Sequence, residues 1–144
     1  MGHTWDQLLV HMVYATEHRE PLLDRELRPR LHAYLGATLT ELGCAPIAIN
    51  GMADHVHLLF RLSPGLALAE VARRLKAHSS GWIHRTQPAL KGFAWQSGYS
   101  AFSVSPSLCD KVRAYIANQE QHHRLRSFAD ECAALLEKNG VARK

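Results

Sequence analysis

Apolar side chains recur along this chain in patterns that mark successive strands and helices. Residues 7–15, Gln-Leu-Leu-Val-His-Met-Val-Tyr-Ala, are rich in β-branched and aromatic side chains and predict a buried first strand. Residues 17–24 are charged, contain Pro21 and predict a loop. Leu27, Leu31, Leu35, Leu39 and Leu42 then recur at steps of three and four, which predicts a helix over 25–42 with one apolar stripe, ended by Gly43. Residues 45–52 and 55–62 predict two strands joined at Ala53-Asp54 as a hairpin, and Ser63-Pro64-Gly65 breaks the pattern. A second helix follows over 68–85, with Val71, Leu75 and Trp82 on its inner side. Residues 91–104 carry Phe93, Trp95, Tyr99, Phe102 and Val104 among glycines and predict a strand or extended pair, with Gly98 allowing a bulge. One helix is predicted from Ser105 to about Arg124, and a last one over 128–138 before Gly140.

The resulting order is β-α-β-β-α-β followed by helices. That order predicts an α+β fold of the ferredoxin-like, split β-α-β kind, an antiparallel sheet with helices on one face, and the predicted helix from Ser105 places Tyr115 on a C-terminal helix. A length of 144 residues fits one domain spanning 1–144, large enough to fold around its own core without disulfides or structural metals. The fold order alone names no function, because it hosts binding modules and enzymes alike.

Composition narrows the class only slightly. The formal charge of +4 leans toward an acidic partner, although a mildly basic surface is equally a solvated one. Cys44, Cys109 and Cys132 are far apart, odd in number and form no CxxC, which argues against a disulfide framework or thiolate zinc and fits a cytoplasmic location. The first residues lack the basic stretch and apolar run of a signal peptide, and no window reaches the ~18 apolar residues of a membrane span.

Two constellations carry candidate chemistry. The first is Asp54-His55-Val56-His57. In a strand, residues i and i+2 share a face and stand roughly 6.6–6.8 Å apart, so both imidazoles can converge on one cation while Val56 points into the core. Two nitrogen ligands are too few for a closed structural zinc site and leave positions open for water or phosphate oxygens. The plain alternative is a pair of polar-face histidines in a chain with 10 histidines. The second constellation is Tyr115-Ile116-Ala117-Asn118-Gln119-Glu120-Gln121-His122-His123. On a continuous helix Gln119 lies about 40° from Tyr115 and His122 about 20° to the other side, so all three share a face. A phenol is a weak nucleophile near neutrality and needs a nearby cation or base, but its attack on a phosphodiester stores the bond energy as phosphotyrosine. The plain alternative for Tyr115 is a core-edge packing residue, and for His122-His123 a complement to a helix C-terminus.

Taken together, His55-Val56-His57 and Tyr115-x-x-x-Gln119 resemble the HUH motif and tyrosine helix of the single-tyrosine, TnpA-type transposases of small bacterial insertion sequences and their repeat-associated relatives. Leu75-Lys76-Ala77-His78-Ser79-Ser80 and Trp95-Gln96-Ser97-Gly98-Tyr99 resemble two further stretches of that family, in the same order along the chain. The resemblance implies a DNA transposase that cuts and rejoins single-stranded, hairpin-bearing DNA without ATP. It implies Tyr115 as nucleophile, forming a 5′-phosphotyrosine and a free 3′-hydroxyl. His55, His57 and Gln119 would hold Mg²⁺ or Mn²⁺, with His122 or His123 left open as a substitute for Gln119. It also implies a homodimer, with the site assembled within one chain or across two.

DNA contacts are expected from Arg73, Arg74, Lys76 and Arg85 along one helix, with Lys91 and Arg113 as further candidates. A solvated helix face is the equal alternative for these cations. Trp95 and Tyr99 read as core or interface residues. Three other functions remain to be separated from the transposase: a single-strand nucleic-acid-binding module without chemistry, a relaxase-like HUH nickase, and a metallo-phosphoesterase that uses water instead of Tyr115.

Overall fold

A computed structural model describes residues 2–142. Its sheet contains β1 (Leu9–Ala15), β2 (Ala45–Met52), β3 (His55–Arg61) and β4 (Ser100–Val104) in the spatial order β2-β3-β1-β4, with every neighbouring pair antiparallel. Strand β3 thus lies between β1 and β2, and β1 between β3 and β4. This is the split arrangement that the element order predicts.

Helices α1 (Leu27–Glu41) and α2 (Leu68–Thr86) cover one sheet face. Val10, Met12 and Tyr14 of β1 and Val56, Leu58 and Phe60 of β3 meet Leu27, Leu31, Leu35 and Leu39 of α1 and Val71, Leu75 and Ile83 of α2 in one apolar core. The four-residue leucine spacing therefore does what it predicts. Asp24 Oδ1 accepts the Leu27 N–H at 2.8 Å, and Gly43, at φ +79°, ends the segment in the left-handed conformation.

The helices after β4 turn to the opposite sheet face. They are α3 (Cys109–Ala117), α4 (Gln119–Leu125) and α5 (Phe128–Lys138). Phe128 of α5 packs on Val13 and Ala15 of β1, with Cys132 and Leu135 beside it. The single helix predicted over 105–124 is interrupted at Asn118 (φ −99°, ψ 24°). The break has a tertiary cause. Asn50 of β2 donates its side-chain amide to the carbonyls of Ile116 (3.0 Å) and Ala117 (3.3 Å), which a continuous helix would have offered to its own next turn.

The expected strand over 91–104 is also shorter, with only Ser100–Val104 in the sheet and one isolated bridge between Thr16 and Trp95. Packing draws the earlier part onto α2. The Trp95 ring meets Tyr14 edge-on at 4.8 Å and Phe93 at 5.0 Å, and its Nε1–H donates to Ser79 Oγ at 2.9 Å. Lys76 Nζ donates to the carbonyls of Gln96 and Gly98, and the Gln96 side chain accepts the Ala15 N–H at 2.8 Å. The Lys-x-x-Ser and Trp-Gln-x-Gly stretches therefore lock onto each other and onto the end of β1.

The β2-β3 hairpin closes tightly, with Met52 paired to His55. Gly51 is required there, because a Cβ on it would stand 2.2 Å from the His55 carbonyl oxygen. The Asp54 carbonyl accepts the Thr16 N–H at 2.9 Å, which ties the turn to the end of β1.

Candidate active site

The alternation of β3 places His55 and His57 on the face opposite Val56, Leu58 and Phe60, beneath α3, α4 and α5. Both imidazoles are wholly buried. Glu131 of α5, also wholly buried, reaches between them. Its Oε1 lies 3.0 Å from His57 Nε2, 3.3 Å from His55 Nε2 and 3.0 Å from Nε2 of His123. Its Oε2 accepts the Tyr115 hydroxyl and, at 3.1 Å, the side-chain N–H of Gln119. The carbonyl oxygen of Gln119 accepts from His55 Nε2 at 3.1 Å. Ligand atoms of His55, His57 and Glu131 fall within 4.8 Å of one another, a spacing suited to one metal ion.

Of the residues singled out in the sequence, His55, His57, Tyr115 and Gln119 thus converge within one chain. The route differs from the simple helical wheel, because Gln119 opens α4 after the break at Asn118 rather than continuing the helix of Tyr115. The two later histidines separate. His123 joins the carboxylate, whereas His122 lies over the Tyr115 ring at 4.5 Å.

Two members of the cluster were not singled out in the sequence. Glu131 had a signal. It sits three residues after Phe128 and directly before Cys132, so an acid occupies the apolar stripe of α5. His11 is the other. It is a buried histidine in the first strand, with Nε2 2.9 Å from His57 Nδ1. His55 is held similarly from behind, donating Nδ1–H to Asp54 Oδ1 at 2.7 Å. Such outer contacts orient each ring and leave Nε2 toward Glu131.

Burial and proximity set the charges. Burial opposes a proton on His55, but hydrogen bonds to Asp54, Glu131 and Gln119 outweigh it and push its pKa up to about 9. Burial dominates for His57 and lowers its pKa, with Glu131 only partly offsetting it. His11 is lowered to about 3 by burial and by its neighbour His57. Burial works against the charge on Glu131, yet hydrogen bonds from His55, His57 and Tyr115 hold the carboxyl well below its ordinary value. Burial and the Glu131 contact push the Tyr115 phenol above its ordinary value, with Gln119 and the charge of Arg126 pulling the other way. The cluster is therefore an anionic carboxylate, a charged His55, a neutral His57 and a protonated phenol.

The basic residues expected to meet DNA lie along α2. Arg73 and Arg74 both pair with Glu70, and Lys76 is turned to backbone carbonyls. Arg85 is exposed. All four belong to α2, on the far side of the sheet from the histidines.

The family model described as "Transposase IS200 like" matches residues 4–119, a span that runs from ahead of β1 to Gln119. The chain belongs to the IS200-like transposase family. Within that family it is similar to ISDra2 transposase TnpA of Deinococcus radiodurans, with 28% identity over 118 residues, covering 78% of this chain and 84% of the relative. A crystal structure from Deinococcus radiodurans assigned as a transposase superposes with a TM-score of 0.68 at 28% identity, covering 83% of this chain and 96% of that one. A REP-associated tyrosine transposase bound to a REP hairpin shares the fold, with a TM-score of 0.62 at 14% identity over 85% of this chain and 73% of the other. This IS200-like transposase is thus of the HUH type. Among its described residues no helix is long and apolar enough to cross a membrane.

Proposed function

We propose that the chain cuts and rejoins single-stranded DNA through a covalent phosphotyrosine on Tyr115. The observation that carries this reading is the shared carboxylate: one oxygen of Glu131 meets the Nε2 atoms of His55 and His57, and the other accepts the Tyr115 hydroxyl. The phenolic oxygen attacks the scissile phosphorus from a hydroxyl that Glu131 Oε2 already holds by a hydrogen bond. The bond from phosphorus to the 3′ oxygen breaks and the phenol's proton ends on that oxygen, which leaves a 5′-phosphotyrosine and a free 3′-hydroxyl. Attack by a 3′-hydroxyl on that linkage reverses the step, so no ATP is consumed.

The donor set fits a divalent cation, with two imidazole nitrogens, a carboxylate and an amide oxygen drawn together. His55, His57 and Glu131, with Gln119 or His123 beside them, would hold Mg²⁺ or Mn²⁺, which supplies Lewis-acid polarisation of the phosphate. Asp54 and His11 keep the two imidazoles aimed. By analogy with the hairpin-bound relative, the substrate strand carries a hairpin. Assembly as a homodimer belongs to the same reading, and light scattering checks it.

Labelled single-stranded DNA, protein and Mn²⁺ should yield an adduct that survives denaturant. The adduct should vanish in Tyr115→Phe and on chelation by EDTA. Cleavage persisting in Tyr115→Phe would point to water as nucleophile, and binding without cleavage would point to a module without chemistry.

A further inference from the structure

Tyr115 is only half-buried, and one cleft opens on it. The cleft lies between α3, α5 and the edge of β4, and its volume of about 390 Å³ is in the range of small-ligand sites. Its floor is apolar, from Phe102, Val104, Val112 and Leu135. Its rim carries Lys111, Arg126 and Lys138, all exposed. No carboxylate is among the described residues that line it. Two other clefts among the described residues differ on this point, since one includes Glu120 and the other Asp54 and Asp130. An apolar floor under a rim whose charged groups are all cationic suits a ligand with a flat apolar part and anionic flanks.

We propose that this cleft seats one nucleotide of a single DNA strand beside the phosphate that Tyr115 attacks, its base on the floor and its phosphates against Lys111, Arg126 and Lys138. The proposal rests on the phosphotyrosine reading and names where its substrate is gripped. Phosphate contacts would set the position of the strand and add salt-dependent affinity. The base would be held by apolar contact and by the Phe102 edge, with little regard to its identity.

The test uses the full chain in EDTA, so that no cleavage contributes, with fluorescein-labelled pentathymidylate followed by anisotropy across a salt series. Lys111→Ala with Lys138→Ala removes two exposed cations. The slope of log affinity against log salt should shrink by about 1.4, and affinity at 0.15 M salt should fall about tenfold. A pentamer with a central abasic nucleotide should bind more weakly than pentathymidylate to the natural chain. That difference should disappear in Leu135→Gln or, if that variant unfolds, in Val112→Gln. An unchanged slope, or equal affinity for the abasic and full pentamers, overturns the proposal. If these binding results hold while no adduct ever forms, the catalytic reading falls and the cleft stands as a single-strand seat. If the adduct forms and the binding results fail, the cleft proposal falls alone.

Discussion

The two faces of β3 are equally hidden from solvent and could hardly be less alike. Val56, Leu58 and Phe60 are wholly buried against α1 and α2, and so are His55 and His57 beneath α3, α4 and α5. On the first face burial is apolar contact, and the hydroxyl of Tyr14 is even left without a hydrogen-bond partner there. On the second, both histidines, Gln119 and Glu131 meet partners at 2.7–3.3 Å. Burying a carboxylate and several imidazoles costs stability unless each is paired, and an apolar replacement would often hold the fold as well. One strand thus separates two tasks by residue parity: the even positions hold the fold, and the odd positions 55 and 57 hold the chemistry.

The comparison breaks most clearly on the apolar side. Leu58→Ala should cost about 2–5 kcal/mol of unfolding free energy, read by urea denaturation. The fraction that remains folded should form the Tyr115 adduct at the natural rate. A loss of adduct chemistry per folded molecule would show that the two faces are not separable. His57→Ala, one residue earlier, should do the reverse. Its Mn²⁺ affinity, measured by calorimetry, should fall by more than about a hundredfold, since even outer partners of a metal ligand are worth roughly 10–100-fold. Its apolar core is untouched, so its circular dichroism should keep the natural helix signal.

That separation also explains what the sequence could and could not show. The leucines of α1 and the alternation of β3 report their own environment, because a side chain must match the layer it faces. His55, His57, Tyr115 and Gln119 were legible through spacing and through their resemblance to a family. The interruption at Asn118 was not, because its cause is Asn50, which takes two helix carbonyls 66 and 67 residues further along the chain. No glycine or proline marks it. Residues 91–99 leave the sheet because Trp95 and Lys76 bind to α2 and the turn, which is again a tertiary preference. Glu131 lay in plain view as an acid on an apolar stripe, but such an acid has no stated role until its neighbours on β3 are known.

A smaller effect tests whether the polar face is held from behind. Asp54→Asn keeps the size of the side chain and removes the carboxylate that fixes His55 Nδ1–H. Mn²⁺ affinity should drop roughly 10–100-fold, with the unfolding midpoint of the metal-bound protein falling accordingly. Unchanged affinity would mean that the ring is oriented without Asp54, by Gln119, Glu131 and Phe128, the last stacked on it at 4.3 Å.

The last effect is one of shape rather than size, and it belongs to the polar face alone. In the metal-free protein His11 takes up a proton only near pH 3, whereas the unfolded chain does so near 6.5. Between those values the unfolded chain binds the extra proton, so stability falls as pH falls, by at most about 1.4 kcal/mol per pH unit for one group. Glu131, whose folded pKa is depressed, contributes stability above the ordinary carboxyl range and loses it as acid protonates it. His55 acts oppositely: its folded pKa of about 9 gives stability that is complete below 6.5 and drains away as pH rises toward 9. Stability in EDTA should therefore peak near neutrality and decline on both sides. Leu58→Ala should lower that whole curve without bending it, since leucine does not titrate. His11→Gln should make the limb between pH 6.5 and 3 shallower, leaving the part due to His57, and should keep the alkaline limb in place. Matching acid limbs in the natural chain and His11→Gln would mean that His11 is not buried in its neutral form, and the electrostatic account of this face would have to be rebuilt around His57 and Glu131.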